Sequence, residues 1–476
     1  MPKKASVIEK NRKQKSTKTK KQKSVNKKTK KEKSTTRITR KQKRGLVENF
    51  KFSRELLKLI NHFFPDLIPM LKEVADPRKK GYIKYETEII LFTKILASVF
   101  HLNSMRSMGD EFNNQKAIDN IYKILGDDVL SELPHYDTIN NFLCRLDPKE
   151  LENIVKELVV KLIRMRSFET SRVFDKYWQI LIDGTGTYDC DENYSEHCLT
   201  KTYNKGTQEE YTIYYHYVLE AKLVFFGDIV ISIATEFVEN ESPDVEKQDC
   251  EIKAFYRLSE KIKSFYPRLP ICLTMDSLYA KQPVFDICVK NKWQYIIVFK
   301  EGSIKTLAEE FVSLKNYDPD IKDTDNEEAK YIGVNKISYN DHYLNVIEYA
   351  GIEDEKNIYF VFISSFLITK KNYKNIVYYG RLRWTIENQG FNEQKNHGFF
   401  LEHIFSEDYN AMKNHYYLIQ IAHMIDQIFE KSSILYKQIK ISTKQLFEEL
   451  KRYFLANYIT DEDIEQSKVH CQVRFT

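Results

Sequence analysis

The chain has 476 residues, 42% of them hydrophobic, and a formal net charge of +6 at pH 7. This length exceeds one ordinary domain, so we expect about three folded units. No apolar run reaches the ~18 residues that a membrane-spanning helix needs, and no apolar segment follows the basic N-terminus, which argues against membrane and secreted proteins. Seven cysteines without paired spacing are typical of a reducing compartment, so we expect a cytoplasmic protein.

The first 45 residues form a basic tail. Residues 1–44 contain 20 Lys or Arg and two acidic residues, about +18, which leaves about −12 on the rest of the chain. The tail is poor in apolar residues and rich in Lys, Ser, Thr and Gln, a composition typical of disorder. It could be a solubilising arm or a counterion-releasing contact to nucleic acid phosphates, and its run of like charges favours the second interpretation.

Residues 46–175 have the pattern of a helical domain. The segments ETEIILFTKILASVF and DPKELENIVKELVVKLIRM carry apolar residues at spacings of three and four. Between them, LPHYDTINNFLCRL predicts a turn and a short helix with Asp137 as its N-cap. That helix could enter a DNA groove with Asn140, Asn141 and Arg145, although packing within a helical domain explains the segment equally well.

From Trp178 the pattern changes to strands. Three β-rich runs precede a helix (VEKQDCEIKAFYRLSEKIKSFY), the strand PICLTMD, a second helix and the strand QYIIVFK. This order predicts an α/β fold with a mixed sheet flanked by helices. We assign its core to residues 176–300 and 376–430, a β-rich insertion to residues 301–375, and a helical C-terminal region to residues 431–476.

Three carboxylates stand out by their settings. Asp183 follows the apolar run of the first strand (WQILIDGTG), Asp276 follows that of the fourth (LPICLTMDSLYA), and Glu387 lies in the helical segment GRLRWTIENQGFNEQK. If the first and fourth strands are neighbours, both aspartates lie at one edge of the sheet, and a helix beside the first strand would bring Glu387 to them. Mg²⁺ prefers anionic oxygen ligands, and two such ions about 4 Å apart can stabilise both oxygens of a phosphodiester displacement.

Most aspartates at the edge of an element form caps or turns instead. We assign Asp189, Asp228 and Asp286 to that structural role. Asp183 and Asp276 differ because each directly follows a five-residue run with a single polar member. A charge so close to the core is costly unless it is paired or binds a metal, so these two positions indicate a metal site.

Basic residues flank Glu387 in its predicted helix. Arg383 at i−4 shares the helical face of Glu387, and Lys395 at i+8 lies about 80° round the axis, within reach of a long side chain. Such groups beside a metal-binding carboxylate suit a site that holds a phosphate backbone. The alternative for Arg383 is an intrahelical ion pair with Glu387, worth under ~0.5 kcal/mol. Glu393 is the rival acid, but it points about 120° away from Glu387.

With these motifs the chain resembles, over roughly residues 130–430, the DDE transposases of bacterial and archaeal insertion sequences with a β-rich insertion before the catalytic glutamate. The resemblance implies an RNase H-like core and an acidic triad that binds two Mg²⁺ or Mn²⁺ ions. The triad corresponds here to Asp183, Asp276 and Glu387, which would be both the catalytic residues and the metal ligands. The glutamate of this family lies in a Tyr-x2-Arg-x3-Glu-x6-Lys signature, which Arg383 and Glu387 match in register.

The other two residues of the signature are each displaced by one position. Tyr379 lies four residues before Arg383, and Lys395 lies eight after Glu387. By the resemblance we assign contacts with DNA to Arg383, Lys395 and Tyr379, and we add the neighbouring Arg381.

The resulting hypothesis is a DNA transposase that cleaves and transfers strands of an insertion sequence in a metal-dependent reaction. Its partners would be the double-stranded ends of the element and a target duplex, and the family implies a homodimer in the synaptic complex. Two alternatives stay open. An RNase H-like nuclease would cut without joining strands, and a transposase-derived binding protein would bind DNA without cutting it.

Overall fold

The computed structural model describes residues 39–102, 104–127, 129–242, 245–325, 329–433, 441–469 and 475. Residues 1–38, which include most of the predicted basic tail, lie outside the described residues. The chain comprises two compact units, residues 1–50 and residues 51–476. In the first unit, helix α1 (Arg40–Glu48) begins at a capping box in which Thr39 and Gln42 each accept the other's backbone N–H.

The N-terminal part of the second unit is helical. Its α-helices are α2 (Phe52–Phe63), α3 (Leu67–Glu73), α4 (Thr87–Val99), α5 (Met105–Phe112), α6 (Gln115–Leu125), α7 (Tyr136–Leu143) and α8 (Pro148–Arg164), and single 3₁₀ turns lie at Lys80–Tyr82 and Arg166–Ser171. Helix α4 is buried along its whole length because α3, α6, α7 and a later helix, Tyr409–Ser432, pack around it. Helix α7 begins two residues earlier than a cap at Asp137 predicts. His135 caps it, and Asp137 lies in its first turn.

The sheet follows. Its strands are β1 (Trp178–Cys190), β2 (Leu199–Tyr203), β3 (Tyr211–Phe225), β4 (Ile229–Val238), β5 (Ile271–Met275), β6 (Gln294–Val298), β7 (Ile321–Asp325), β8 (Ala329–Tyr339), β9 (His342–Glu353) and β10 (Lys356–Ser364). They form one ten-stranded sheet in the order β2-β3-β1-β5-β6-β10-β9-β8-β7, with β4 also paired to β3. The β1–β5 and β5–β6 pairs are parallel and the others antiparallel, so the predicted mixed α/β sheet is confirmed.

Two features of this sheet differ from the sequence interpretation. A short extra strand, β2, pairs with β3, so Asp276 follows the fifth strand rather than the fourth. The strands of the predicted insertion also continue the same sheet, because β10 pairs with β6. This pairing covers what would otherwise be an open strand edge at β6.

The remaining helices flank the sheet or follow it. They are α9 (Glu251–Phe265), α10 (Gln282–Asn291), α11 (Lys305–Tyr317), α12 (Tyr373–Arg381), α13 (Asn392–Asn396), α14 (Tyr409–Ser432), α15 (Thr443–Ala456) and α16 (Asp461–Ser467), with a 3₁₀ turn at Ser277–Tyr279 and a π-helical turn at Ile386–Phe391. The long, largely buried α14 packs against α4, α7 and α8 on one side and β4 on the other, so it joins the helical part to the sheet. Among the described residues, no helix has the length and apolar character that crossing a membrane requires.

Candidate active site

The parallel pairing of β1 with β5 brings Asp183 and Asp276 to neighbouring positions. The last paired residues are Leu181 and Thr274, and each aspartate lies two residues beyond its member of that pair. Parallel strands run in step, so the two aspartates lie side by side at the edge where the parallel pairing ends. The condition for the two aspartates to meet, that these strands are neighbours, is fulfilled.

The two aspartates reach this edge in different ways. Asp276 directly follows β5, and its Oδ1 accepts the backbone N–H of Leu278 at 2.7 Å, which caps the 3₁₀ turn. Asp183 lies within β1, because β1 continues to Cys190 while paired with β3 alone. It therefore marks the end of the parallel pairing rather than the end of the strand.

Arg383 is the partner of Asp183. Its Nη1 donates to Oδ2 of Asp183 at 3.0 Å, and the two side chains are 13% and 20% exposed. Burial raises the pKa of Asp183 to about 6, although Arg383 and the N–H of Gly184 act to lower it. The negative charges of Glu251 and Asp276 raise this pKa further. Asp183 is thus a carboxylate whose ionised form is poorly stabilised, which is typical of positions that bind a cation or a proton.

Glu251 is a carboxylate of this site that the sequence analysis missed. It is the first residue of α9, and it accepts hydrogen bonds from the hydroxyls of Tyr217 at 2.9 Å and Tyr279 at 2.7 Å. Tyr217 lies on β3 opposite Gly186 of β1, and Tyr279 lies three residues after Asp276. The sequence pattern starts this helix at Val245, which makes Glu251 look like an ordinary mid-helix residue. The available signal was its position on the helix that directly precedes β5, the strand that leads to Asp276.

Gly184 is covered by the ring of Tyr217. A Cβ atom at this glycine would clash with the ring, whereas nothing lies within 4 Å of a Cβ at Gly186. The absence of a side chain at Gly184 thus makes room for the Tyr217 ring. The space beside Gly186 is open, so a ligand could approach the backbone there.

Glu387 lies in the π-helical turn, where Ile386 and Phe391 pack against Leu181 of β1 and Val224 of β3. The turn that carries Glu387 therefore packs beside the first strand. The Glu387 side chain is exposed, and its carboxylate has no hydrogen bond or ion pair with another described residue. Within the described ranges, no group of three or more His, Cys, Asp or Glu side chains is close enough to hold a metal ion. The structure thus brings the two aspartates together, but it does not bring Glu387 into contact with them.

The rival acid, Glu393, has a structural partner set. Its Oε2 accepts hydrogen bonds from the side chains of His423 and Gln427, both at 3.1 Å. Burial acts to raise the pKa of Glu393, but the bonds to His423 and Gln427 outweigh it and the pKa is lowered. Glu393 therefore contributes to the packing of this segment on α14.

The other predicted DNA-contacting residues of this segment already have protein partners. Arg381 forms a two-pronged ion pair with Glu353 at 2.6 and 2.7 Å, and Lys395 pairs with Glu402 at 2.8 Å. The ring of Tyr379 packs edge-on against Phe174 in the core cluster below the sheet. A role in DNA binding for these three residues stays a prediction.

The predicted groove-binding helix α7 presents a mixed face. Asn141 and Arg145 are exposed, whereas Asn140 is partly buried and its Oδ1 has no hydrogen-bond partner among the described residues. Asn410 and Asn414 of α14 donate to backbone carbonyls at the end of α7, which fixes this end of the helix against the long helix.

Two comparisons with known proteins bear on this site. Residues 68–159, about a fifth of the chain, match a family model described as DDE_Tnp_1-associated, which links the region from α3 to α8 with DDE transposases. A solved structure of a piggyBac transposase synaptic complex with hairpin DNA is similar to the chain, with a TM-score of 0.41 and 10% identity over 87% of this chain and 84% of that one. A likeness at this score is too weak to indicate a shared activity. No curated protein sequence matches the chain.

Proposed function

We propose that the chain is a DNA transposase of the DDE type, from a bacterial or archaeal insertion sequence, with an RNase H-like core. The observation that supports it most is the β1–β5 pairing, which carries Asp183 and Asp276 to one sheet edge beside Arg383. The match of residues 68–159 to a transposase-associated family model adds independent support.

The donor atoms at this edge fit a divalent cation. They are carboxylate oxygens, which Mg²⁺ and Mn²⁺ prefer. Oδ2 of Asp276 has no hydrogen-bond partner among the described residues, so it is open to a ligand. The raised pKa of Asp183 has the same implication, because a cation would stabilise the ionised form that burial disfavours. Asp183 and Asp276 would hold the metal, with Glu387 as the third ligand.

The protein's own groups would position the reacting strand. A bound cation would supply Lewis-acid stabilisation of the phosphate charge that grows during the displacement. Arg383, which orients Asp183 through one guanidinium nitrogen, keeps other N–H groups for a phosphate oxygen. In the first reaction a water oxygen attacks the phosphorus, and the 3′-oxygen of the element's strand leaves. In the second, that 3′-hydroxyl attacks a target phosphodiester and displaces the target's own 3′-oxygen.

DNA binding would rely on local basic groups, since residues 45–476 together are acidic. We assign contacts to Arg145, Arg383 and Lys395 on the described part of the chain, and to the basic tail. Binding should therefore weaken steeply with salt. Two element ends in one complex would require a homodimer, and we place the reaction in the cytoplasm, at the nucleoid.

The test is a cleavage and joining reaction. Short inverted repeats in the DNA flanking the gene supply the substrate, which is incubated with the full chain, Mg²⁺ and a target plasmid. Expected are cut ends and joined products with the wild type, and neither with Asp276→Asn, which should still bind DNA. The matched control is Asp228→Asn, because Asp228 lies in the turn between β3 and β4, where it pairs with Lys431.

Each alternative has its own result. Cut ends that never join would indicate a nuclease instead of a transposase. Binding without any cleavage would indicate a non-catalytic DNA-binding protein. Full cleavage by Asp276→Asn would show that the site is wrong, even if the activity is correct.

A further inference from the structure

A second polar site lies away from the three carboxylates. It is a cavity of about 400 Å³ between α4, α5, the segment 398–406 and α14. We call it the Lys94 cavity, and its lining is Lys94, Ser98, Leu102, Ser104, Arg106, Gly398, Phe399, Phe400, His403, Ile404, Phe405 and His415. Its charged and titratable lining groups are a lysine, an arginine and two histidines, and none of the described residues that line it is acidic.

Lys94 is the most unusual member of this set. It is only 6% exposed, and no hydrogen bond or ion pair joins its ammonium to a described residue. The contact that it makes is with the face of the Phe405 ring, at 5.2 Å from the ring centre. A buried ammonium without a counter-charge is unfavourable by several kcal/mol in general, so proteins keep one where it pairs with something.

His415 supplies a second unsatisfied polar atom. Its Nδ1 is buried and has no hydrogen-bond partner among the described residues, and its ring stacks on Phe405 at 4.1 Å. Lys94 and His415 thus both contact the ring of Phe405 at the wall of the cavity. Arg106 and His403, both exposed, lie nearer to its mouth.

We propose that the Lys94 cavity binds a phosphate group. An oxyanion would pair with the Lys94 ammonium, accept from His415 Nδ1–H and reach Arg106 at the mouth, so one ligand would satisfy groups that the protein leaves without partners. Burial lowers the pKa of Lys94 to about 8 and that of His415 well below its usual value. His415 is therefore a neutral N–H donor, and a bound anion would stabilise the charged form of Lys94 that burial disfavours.

The position of the cavity favours the backbone of bound DNA as the source of this phosphate, an assignment that rests on the proposed function. Ile404 and Phe405 separate the cavity from a neighbouring one lined by Asn140 of α7, the helix predicted to contact DNA. Lys94, Arg106 and Asn140 all lie within the segment that matches the transposase-associated family model. A strand that runs along α7 could thus place one phosphate at the Lys94 cavity.

Two measurements on the full chain test the proposal. In the first, thermal unfolding is followed in phosphate and in chloride at equal ionic strength. Phosphate should raise the Tm of the wild type by about 2 °C and leave that of Lys94→Met unchanged. In the second, duplex DNA binding is measured against salt. Lys94→Met should bind about tenfold more weakly, and its slope of log K against log salt should be smaller by about 0.9.

Two variants accompany Lys94→Met. Arg106→Gln changes an exposed residue, so this variant should fold even if Lys94→Met proves unstable. It should lose part of the phosphate protection and part of the DNA affinity. Lys444→Met removes the same charge from an exposed position on α15, and it should behave as the wild type.

The outcomes separate the possibilities. Equal phosphate protection of the wild type and Lys94→Met would overturn the site. Phosphate protection that depends on Lys94, with DNA binding that does not, would assign the site to free phosphate or a nucleotide and overturn the DNA assignment. A wild type that binds no DNA would instead refute the proposed function, and the phosphate measurement would still decide the cavity.

Discussion

Arg383 donates to Asp183 at 3.0 Å, although 200 residues separate them in the chain. This bond ties the segment that carries Glu387 to the strand that carries the first aspartate. The spacing of Arg383 from Glu387 does not indicate this contact, because the ion pair that Arg383 forms is with Asp183 and not the alternative intrahelical pair with Glu387.

The first prediction concerns this arginine. Arg383→Gln should lower the rate of single-turnover cleavage about 100-fold, because it removes both a phosphate donor and the group that orients Asp183. Arg383→Lys should lose about tenfold, since a lysine keeps the charge but not the planar fork. Arg452→Gln, on an exposed part of α15 where Arg452 pairs with Glu449, is the matched control and should keep the wild-type rate. An unchanged rate for Arg383→Gln would show that Arg383 has no role in the cleavage reaction.

The second prediction separates the two glutamates of one short segment. Glu387→Gln should leave the free energy of unfolding within about 0.5 kcal/mol of the wild type, because the side chain is exposed, and should lower cleavage more than 100-fold. Glu393→Gln should do the reverse. It should lose about 1–2 kcal/mol of stability, because His423 and Gln427 lose a charged acceptor, and should cleave within about threefold of the wild type. Urea denaturation and a cleavage assay measure both, and the opposite pattern would make Glu393 the third ligand.

The sequence predicted the mixed sheet and the neighbouring aspartates for a physical reason. The apolar runs before Asp183 and Asp276 indicate buried strands, and if two such strands pair in parallel, their ends lie at one edge of the sheet. These inferences use local pattern and one general rule of topology. They need no knowledge of side-chain contacts.

The partners at the site could not be predicted in the same way. Helix α12 ends at Arg381, and the chain resumes as a π-helical turn at Ile386, so the i−4 relation of Arg383 to Glu387 does not hold. Glu251 was missed because the boundary of its helix was placed six residues too early, and boundaries depend on capping contacts that only the folded chain provides.

The third prediction concerns the glycine beside Asp183. Gly184→Ala should destabilise the protein by about 2–3 kcal/mol, because the new methyl group meets the Tyr217 ring, which cannot move without losing its hydrogen bond to Glu251. Gly186→Ala is the matched control, with open space around the added Cβ, and should change stability by less than about 1 kcal/mol. In the double variant Gly184→Ala/Tyr217→Ala the two losses should be less than additive. Strict additivity in urea denaturation would mean that the ring and the glycine do not interact.

The last prediction gives the pH dependence that the buried Lys94 imposes on stability. Its folded pKa, about 8, lies below the ordinary value of 10.5, so between these two pH values the unfolded chain binds more protons than the folded one. Stability contributed by this residue therefore rises with pH in that window, and the penalty of the buried ammonium is fully present below pH 8. Lys94→Met removes the titrating group. In the absence of phosphate and DNA, this variant should be more stable than the wild type by on the order of 3 kcal/mol at pH 7, and the difference should shrink to near zero by pH 10.5.

Urea denaturation of the two proteins at a series of pH values between 7 and 10.5 measures this difference, and the subtraction cancels the tyrosines and cysteines that titrate in both. A difference that stays constant over this range would mean that Lys94 is charged in the folded protein at every pH tested. It would then have a counter-charge of its own, and the Lys94 cavity would have no need of an anion. The expected result is a difference that shrinks as the pH rises and that disappears at pH 7 once phosphate is added. It would mean that the protein tolerates the buried Lys94 because an anionic ligand supplies its counter-charge.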